Sequence, residues 1–185
     1  MAKRLVDIAV ALALLAMLSP LLLATAVAVM LEDGRPVFFR QQRVGRSGHV
    51  FGMFKFRSMV KNAATIGPYF TVDHDPRITR IGRVLRRTSI DELPQLINVV
   101  LGDMSLVGPR PDVPAQRSLY TDAQWALRCS VRPGITGLAQ ALLRSEGTQQ
   151  QRLELDLRYV REHNLRMDLQ IMYWTVGRLS GKGAN

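Results

Sequence analysis

The chain has 185 residues, with 25 lysines and arginines against 15 aspartates and glutamates, which gives a formal net charge of +10. Its single cysteine, Cys129, excludes an intramolecular disulfide and is typical of a reducing compartment. Aromatic residues make up only 6% and none interleave with basic residues in a run, so we expect no nucleic-acid partner. The basic excess points instead to anionic lipids or phosphorylated substrates.

The first predicted element is a long apolar helix. No charged side chain occurs from Ile8 to Leu31. Because an α-helix rises about 1.5 Å per residue, this run is long enough to cross a hydrocarbon core about 30 Å thick. We therefore predict a membrane helix within residues 1–35, followed by a cytosolic, membrane-associated domain of residues 36–185.

The middle of the apolar run contains Ser19 and Pro20. Pro20 has no amide proton for the carbonyl of Ala16, and its ring crowds that turn, so a kink is expected there. We expect the Ser19 hydroxyl to bond back to the carbonyl of Leu15.

Basic residues flank the run on both sides. Lys3 and Arg4 precede it, and four arginines follow it closely: Arg35, Arg40, Arg43 and Arg46. Because positive residues near membrane segments prefer the cytoplasm, the predicted topology is re-entrant, with both ends on the cytoplasmic face. Two alternatives stay open: a straight crossing helix, and a signal peptide cleaved near Ala24–Ala26.

A β-hairpin is predicted after the apolar run. Val37–Val44 and His49–Met59 have the character of strands, separated by a turn at Gly45–Gly48. Lys55 and Arg57 alternate outward on the second strand. They form either a solvated face or a contact surface for phosphate.

A basic amphipathic helix is predicted over Ile78–Arg87. Four arginines recur there at helical spacing, Arg80, Arg83, Arg86 and Arg87, while Ile81, Val84 and Leu85 are expected to face inward. Such a helix on a membrane protein often serves only as an electrostatic anchor.

The next segment, Thr88–Gly102, contains two adjacent carboxylates. Ser89 and Glu92 have the spacing of a capping box, and Pro94 fits the first helical turn if Asp91 is the N-cap. A carboxylate at a helix N-terminus is expected to stay ionised. Asp91 and Glu92 therefore either cap a helix or serve as metal ligands or a nucleophile toward phosphorus.

The last third of the chain adds further turns and helices. Pro109 and Pro111 fix the backbone around Arg110, which suits bidentate binding of phosphate oxygens. Helices are predicted within Thr121–Val131, Gln149–His163 and Leu165–Leu179. Asp156 and Asp168 either approach a metal or have surface and capping roles. The predicted fold class is α+β, mainly helical, with one small hairpin.

Three sequence blocks closely resemble, in this order, those of the bacterial sugar transferase family. These are small monotopic phosphoglycosyl transferases that start glycoconjugate assembly on a polyprenol carrier. The resemblance extends from Lys3-Arg4 to the last helix, and the blocks are KFRSM, ITRIGRVLRRTSIDELPQLINVVLGDMSLVGPRP and RPGITGLAQ.

The resemblance implies an enzyme at the cytoplasmic face of the bacterial inner membrane. It would move a sugar-1-phosphate from a nucleoside diphosphate sugar, usually a UDP-sugar, to polyprenol phosphate, and release UMP. Asp91 matches the family's nucleophile, which forms a covalent phosphosugar intermediate, and Glu92 is its dyad partner. Both are expected to hold Mg²⁺.

Basic residues complete the site that the resemblance implies. Arg86 and Arg110 match phosphate-binding arginines of the family. Lys55 and Arg57 are expected to bind substrate phosphate as well. Arg144 matches an arginine near the nucleotide. After Gly-Ile-Thr-Gly the family usually continues AQVNGRN, whereas this chain has AQALLRS over residues 139–145. The competing class is a non-catalytic, membrane-bound basic scaffold or lipid-binding protein. The oligomeric state is open, a homodimer included.

Overall fold

A computed structural model describes residues 2–67, 72, 75–143 and 147–179. The strands are β1 (Phe38–Val44), β2 (Val50–Phe56), β3 (Ser105–Val107) and β4 (Gly134–Thr136). The helices, in chain order, are α1 (Ala2–Asp33), α2 (Ala63–Ile66), α3 (Arg80–Thr88), α4 (Gln95–Leu101), α5 (Asp122–Arg128), α6 (Leu138–Leu142), α7 (Gln149–Glu162) and α8 (Leu165–Leu179). Short 3-10 turns cover Arg46–Gly48, Ile90–Glu92 and Pro114–Leu119. The predicted mainly helical α+β class is confirmed.

Helix α1 continues through Pro20. Pro20 leaves the carbonyl of Ala16 without a backbone donor, and the Ser19 hydroxyl donates to that carbonyl at 2.8 Å. The prediction that Ser19 would bond to Leu15 is therefore wrong, because the carbonyl deprived of its donor is the one at Ala16. The kink itself stays a prediction.

Both ends of α1 are held by the rest of the chain. Near its start, the Lys3 ammonium lies 2.7 Å from the carboxylate of Asp168 on α8. Near its end, the Glu32 carboxylate accepts the backbone N–H groups of Arg80 at 2.7 Å and Ile81 at 3.0 Å. Glu32 thus supplies acceptors to the first N–H groups of α3, which have no partner within their own helix.

The two faces of α1 differ. Ala11 is completely buried, and Val29 is 4% exposed, so each joins a cluster of core side chains. The opposite face exposes large apolar side chains, among them Leu5, Leu12, Met17, Leu23 and Leu31. An 18-residue stretch of the helix has a mean hydropathy of 2.4, and the helix is long and apolar enough to cross a membrane.

The core lies between α1, α4, α7 and α8. Ala11, Val99, Tyr159 and Ile171 from these helices are each no more than 1% exposed. The Tyr159 hydroxyl donates to the Asp168 carboxylate at 2.7 Å. Asp168 is therefore buried and bound to Lys3 and Tyr159, so its predicted surface role is wrong.

The predicted hairpin is confirmed. Strand β1 pairs antiparallel with β2, with Phe38 opposite Phe56 and Val44 opposite Val50. Ser47 in the connecting turn has a φ of 56°, in the left-handed region. A second, parallel pair joins β3 and β4.

Asn98 ties α4 to this hairpin. Its fully buried amide oxygen accepts the N–H of Phe54 at 2.9 Å, and its amide nitrogen donates to the carbonyl of Gly52 at 3.0 Å. A second bond from the same nitrogen reaches Asp103 at 3.0 Å. Because these bonds fix α4 against β2, the segment preceding α4 faces the side chains of the hairpin.

The predicted basic helix is confirmed as α3. Leu85 is buried and Ile81 packs beside it, but Val84 is 59% exposed, so its predicted inward orientation is wrong. Only a narrow face of α3 contacts the core. Val84 is exposed because it lies one turn from Arg80 and Arg87, on the face of the helix that points to solvent.

Candidate active site

Asp91 and Glu92 lie in a 3-10 turn between α3 and α4. Ser89 precedes them with a φ of 56°, and its backbone N–H closes the end of α3 on the carbonyl of Arg86 at 3.3 Å. Pro94, not Asp91, is the N-cap of α4. The predicted capping box is therefore wrong, because the chain ends one helix and turns before it starts the next.

Glu92 is held by cations from two directions. Its Oε1 atom accepts from the Lys55 ammonium at 2.7 Å and from the Arg110 guanidinium at 3.1 Å. Burial alone would raise the pKa of Glu92, but Arg110 and Lys55 outweigh it and lower that pKa to about 2. Glu92 is thus firmly ionised and joins β2 to the Pro109–Pro111 turn.

Asp91 has the opposite electrostatics. Only 7% of the residue is exposed, and burial, followed by the charge of Glu92, raises the pKa of its carboxyl. Lys55 and Arg86 offset part of that rise in pKa. Asp91 does not lie at the N-terminus of α4, which begins only at Gln95, so the predicted stabilisation of its charged form by that helix is wrong.

The carboxylate of Asp91 is buried and, among the described residues, lacks the direct ion pairs that hold Glu92. Within the described ranges, no other side chain donates a hydrogen bond to it. A buried carboxylate with few hydrogen-bond donors is unstable in its charged form. An added cation, or a bond from the carboxylate to an electrophile, therefore stabilises it.

Arg86 stands beside Asp91 because α3 approaches the end of the hairpin closely. A Cβ atom at Gly82 would collide with the carbonyl of Ser58, so only glycine permits this approach. The Arg86 Nε then donates to the Ser58 hydroxyl at 2.9 Å. From this position its charge lowers the pKa of Asp91.

The turn that carries Arg110 is fixed from beneath by Arg128. The buried Arg128 guanidinium binds the carboxylates of Asp112 and, at 2.9 Å, Asp156, and it donates to the carbonyl of Arg110 at 2.6 Å. Asp156 is therefore buried in an ion pair, so its predicted surface role is wrong. The Arg110 side chain itself stays 49% exposed, available to a ligand.

Arg43 belongs to the site but was not predicted there. At the end of β1 it donates to the carbonyl of Pro111 at 2.9 Å and to Gln41 at 2.8 Å. Its Nε is buried without a hydrogen-bond partner among the described residues. Burial and the charge of Arg110 lower the pKa of Arg43 to about 10. The sequence offers only an arginine at a strand end, which many surface arginines share.

A cavity of about 180 Å³ opens beside Arg110. Its lining includes basic and polar side chains from several elements, among them Arg43, Arg110, Tyr120, Gln140 and Arg152. The volume is below the range usual for a whole small-molecule site, so it suits one part of a larger ligand.

Arg57 lies apart from this cluster. Its guanidinium is 7% exposed, pairs with the Asp33 carboxylate at 3.1 Å, and donates to the carbonyl of Gly34 at 2.7 Å. Arg57 fixes the chain where it leaves α1, so its predicted outward orientation is wrong and its role in phosphate binding has no structural support. Arg144, predicted near the nucleotide, lies outside the described residues.

Asp91 and Glu92 suit a cation that binds together with a phosphorylated substrate. Within residues 2–67, 72, 75–143 and 147–179, no group of three or more histidine, cysteine, aspartate or glutamate side chains could hold a metal ion. Mg²⁺, however, usually binds proteins through one or two carboxylates, with substrate phosphates and waters completing its shell. Asp91 and Glu92 fit that pattern.

Comparison with known proteins identifies the family. The family described as bacterial sugar transferase matches residues 1–182. The chain belongs to the bacterial sugar transferase family. The residues that the sequence resemblance assigned to this family's site, Asp91, Glu92, Arg86 and Arg110, lie together in the structure.

Similar members of the family include transferases that differ in length. The chain is 41% identical to a UDP-N-acetylgalactosamine-undecaprenyl-phosphate N-acetylgalactosaminephosphotransferase of Aeromonas hydrophila, across 98% of this chain and 44% of that protein. It is 43% identical to a UDP-glucose:undecaprenyl-phosphate glucose-1-phosphate transferase of Caulobacter vibrioides, across 96% and 69%. It is 42% identical to the exopolysaccharide production protein PSS of Rhizobium leguminosarum, across 94% and 92%. The chain thus spans less than half of the Aeromonas relative and most of the Rhizobium one.

Proposed function

We propose that the chain transfers a sugar-1-phosphate from a UDP-sugar to polyprenol phosphate, as the first membrane step in building a polysaccharide. The observation that carries this proposal is the buried Asp91 carboxylate, with its raised pKa, beside an ionised Glu92. The charges of Lys55 and Arg86 act on Asp91, and Arg110 is bound to Glu92. The names of the Aeromonas and Caulobacter relatives support a UDP-sugar donor and an undecaprenyl phosphate acceptor.

In the first step, an oxygen of the Asp91 carboxylate attacks the phosphorus attached to the sugar. The bond between that phosphorus and the oxygen bridging to the nucleotide phosphate breaks, and UMP leaves with the bonding electron pair. The product on the protein is an aspartyl phosphosugar. Phosphoryl transfer requires in-line positioning and stabilised oxygens, which the guanidinium of Arg110 and its neighbours can provide.

In the second step, a phosphate oxygen of polyprenol phosphate attacks the same phosphorus. The bond to Asp91 breaks, the free carboxylate is restored, and polyprenol diphosphate sugar is formed. No proton-transfer catalyst is needed for the attack, because both nucleophiles are already anionic. Consequently the site can act without a histidine.

Asp91 and Glu92 would hold Mg²⁺ in this reaction. When bound, the ion supplies positive charge that offsets the charge of the diphosphate. Glu92, already paired with Lys55 and Arg110, would keep its charge at every working pH because its pKa is low.

We also propose a monotopic position at the cytoplasmic face of the inner membrane. What supports it is that both ends of α1 contact one folded body, through Lys3 and Asp168 at one end and Glu32 and Arg80 at the other. The exposed apolar side chains between these ends would then face lipid. This position brings the lipid-linked acceptor and the water-soluble donor to the same surface.

The competing interpretation, in which Asp91 and Glu92 merely cap a helix on a lipid-binding scaffold, has no observation in its favour. Neither side chain caps α4 or the 3-10 turn that contains it.

Purified chain in membrane nanodiscs, with Mg²⁺ and undecaprenyl phosphate, tests the proposal. We expect UMP release from at least one of UDP-glucose and UDP-N-acetylgalactosamine, and a loss of at least about a thousandfold in Asp91→Asn. Asp122→Asn, the same substitution at a carboxylate that is 97% exposed, serves as the matched control and should be fully active. UMP release by Asp91→Asn at the rate of this control would refute the assignment.

A further inference from the structure

A second cavity lies at the other end of α4. It has a volume of about 450 Å³, and its lining includes Lys3, Arg4, Arg46, Ser130, Arg132 and His163. None of the residues that surround Asp91 lines it. Asp91 precedes the start of α4, whereas this cavity borders its C-terminal end, and the helix of 7 residues is about 10 Å long.

Positive charge dominates this cavity. Four lining cations, Lys3, Arg4, Arg46 and Arg132, face one lining carboxylate, Asp7. Lys3 is neutralised by Asp168 at 2.7 Å. Among the described residues, none of the three arginines forms an ion pair with a carboxylate.

The arginines are close enough to repel one another. Burial, and then the charges of Arg4 and Arg46, lower the pKa of Arg132, while Asp7 acts in the opposite direction. Like charges brought together at a partly buried place are costly unless an anion joins them.

Helix capping accounts for only part of this arrangement. Arg4 donates to the carbonyl of Val100 at 3.2 Å, and the Nε of Arg132 donates to the carbonyl of Gly102 at 2.8 Å, so both serve the C-terminal end of α4. Among the described residues, the terminal nitrogens of Arg132 make no hydrogen bond. Arg46 is exposed, and within the described ranges its side chain makes no hydrogen bond, so capping does not explain why it converges on the cavity.

We propose that this cavity is a second anion site, which binds the phosphate group of a ligand other than the reacting pair. Arginine forks match phosphate oxygens bidentately, and the Ser130 hydroxyl adds a neutral donor. The phosphate can belong to the headgroup of an anionic phospholipid, since Arg4 is followed by Leu5, 69% exposed, at the start of the apolar face of α1. It can equally belong to a free phosphate compound.

Titration calorimetry of the full chain in neutral detergent tests the site with inorganic phosphate and with dihexanoyl phosphatidylglycerol as probes. We expect the double substitution Arg46→Gln with Arg132→Gln to weaken one class of binding about tenfold or more. Arg46→Gln alone, which removes no internal contact among the described residues, should weaken it in the same direction. Arg110→Gln should leave this class intact, because Arg110 lies in the Asp91 cluster.

Arg161→Gln is the matched control, because Arg161 is exposed on α7 and does not line the cavity. Dihexanoyl phosphatidylcholine, which has no net charge, controls for the lipid tails. Arginine-dependent binding of phosphatidylglycerol without phosphate would identify the lipid headgroup as the source. Arginine-dependent binding of inorganic phosphate would identify a free phosphate compound.

Superimposable titrations of the wild type and of both arginine variants, with either probe, would overturn the proposal. Because UMP release does not enter this measurement, its outcome is independent of whether the proposed transferase activity is correct.

Discussion

At the scale of single residues, Asp91 and Glu92 are chain neighbours with opposite electrostatics. Lys55 and Arg110 contact Glu92 directly and lower its pKa to about 2. Asp91 receives no such contact from the part of the chain that the structure describes, and burial and Glu92 raise its pKa. One carboxylate is thereby a permanent anion, and the other is held ready to bind or react, which is how neighbouring carboxylates acquire separate roles.

The raised pKa predicts that Asp91 lowers stability. Because the raised pKa means that the folded chain favours protonated Asp91 more than the unfolded chain does, Asp91→Asn should unfold at a higher temperature than the wild type at neutral pH. Below about pH 3.9, where aspartate is protonated even when unfolded, this advantage should disappear. Thermal unfolding in neutral detergent from pH 3 to 8 measures both effects, and a lower midpoint for Asp91→Asn at pH 7.5 would contradict the prediction.

The neighbours of Asp91 should shift its titration in opposite directions. Glu92 raises the pKa of Asp91, so Glu92→Gln should move the acid limb of the pH–rate profile to lower pH. Arg86 lowers that pKa, so Arg86→Gln should move the acid limb to higher pH. We expect both variants to be slower, by about a hundredfold. UMP release measured from pH 4 to 8 gives the profiles of both variants. If the acid limbs of the two variants moved in the same direction, the assignment of Asp91 as the nucleophile would be contradicted.

At the scale of elements, Asn98 determines the position of Asp91 and Glu92 relative to Lys55. Its amide joins α4 to β2 through the backbone groups of Phe54 and Gly52. The hairpin and α4 are separate in sequence, so this bond sets the distance between the Glu92 carboxylate and the Lys55 ammonium.

Asn98→Ala should therefore destabilise the fold by about 2–3 kcal/mol, because it leaves buried backbone donors and acceptors unsatisfied. Urea unfolding in neutral detergent measures this loss. Asn62→Ala is the control, since Asn62 is exposed and its side chain makes no capping bond, and it should stay within about 0.5 kcal/mol. Equal stability of the two variants would show that Asn98 does not hold these elements together.

The elements that could be predicted from the sequence are those determined by local pattern. Alternation and turn residues predicted the hairpin, and arginine spacing predicted α3. Features that depend on partners distant in sequence were predicted wrongly. Arg57 was predicted to point outward from its strand, but it is buried against the end of α1, where it pairs with Asp33. Asp156 was predicted to lie at the surface, but it is buried in an ion pair with Arg128. Ser89 is a residue type that often begins a capping box, but here it ends α3 in a left-handed conformation because the chain turns between α3 and α4.

At the scale of the whole molecule, α1 lies along the domain. Its inner face contributes Ala11 and Val29 to the core, while its outer face remains apolar. Truncating this helix would remove part of the core as well as the proposed membrane contact. The folded domain and its proposed anchor are therefore expected to unfold together.

Cysteine labelling tests the position of α1 in the membrane. In a Cys129→Ala background, Ala2→Cys and Arg35→Cys should both react with a membrane-impermeant maleimide only from the cytoplasmic side. Both substituted positions are exposed, so accessibility does not limit the reaction. Labelling of Ala2→Cys from the periplasm alone would instead establish a straight crossing helix.

The covalent step at Asp91 is the centre of the proposed function, and intact-protein mass spectrometry tests it most directly. Incubation with Mg²⁺ and the reactive UDP-sugar, without acceptor, should increase the mass by one sugar phosphate. Peptide mapping should assign that mass to Asp91, and addition of undecaprenyl phosphate should remove it. Asp122→Asn should carry the adduct and Asp91→Asn should not. An adduct-free wild type that still releases UMP at full rate when acceptor is present would contradict a covalent aspartyl intermediate.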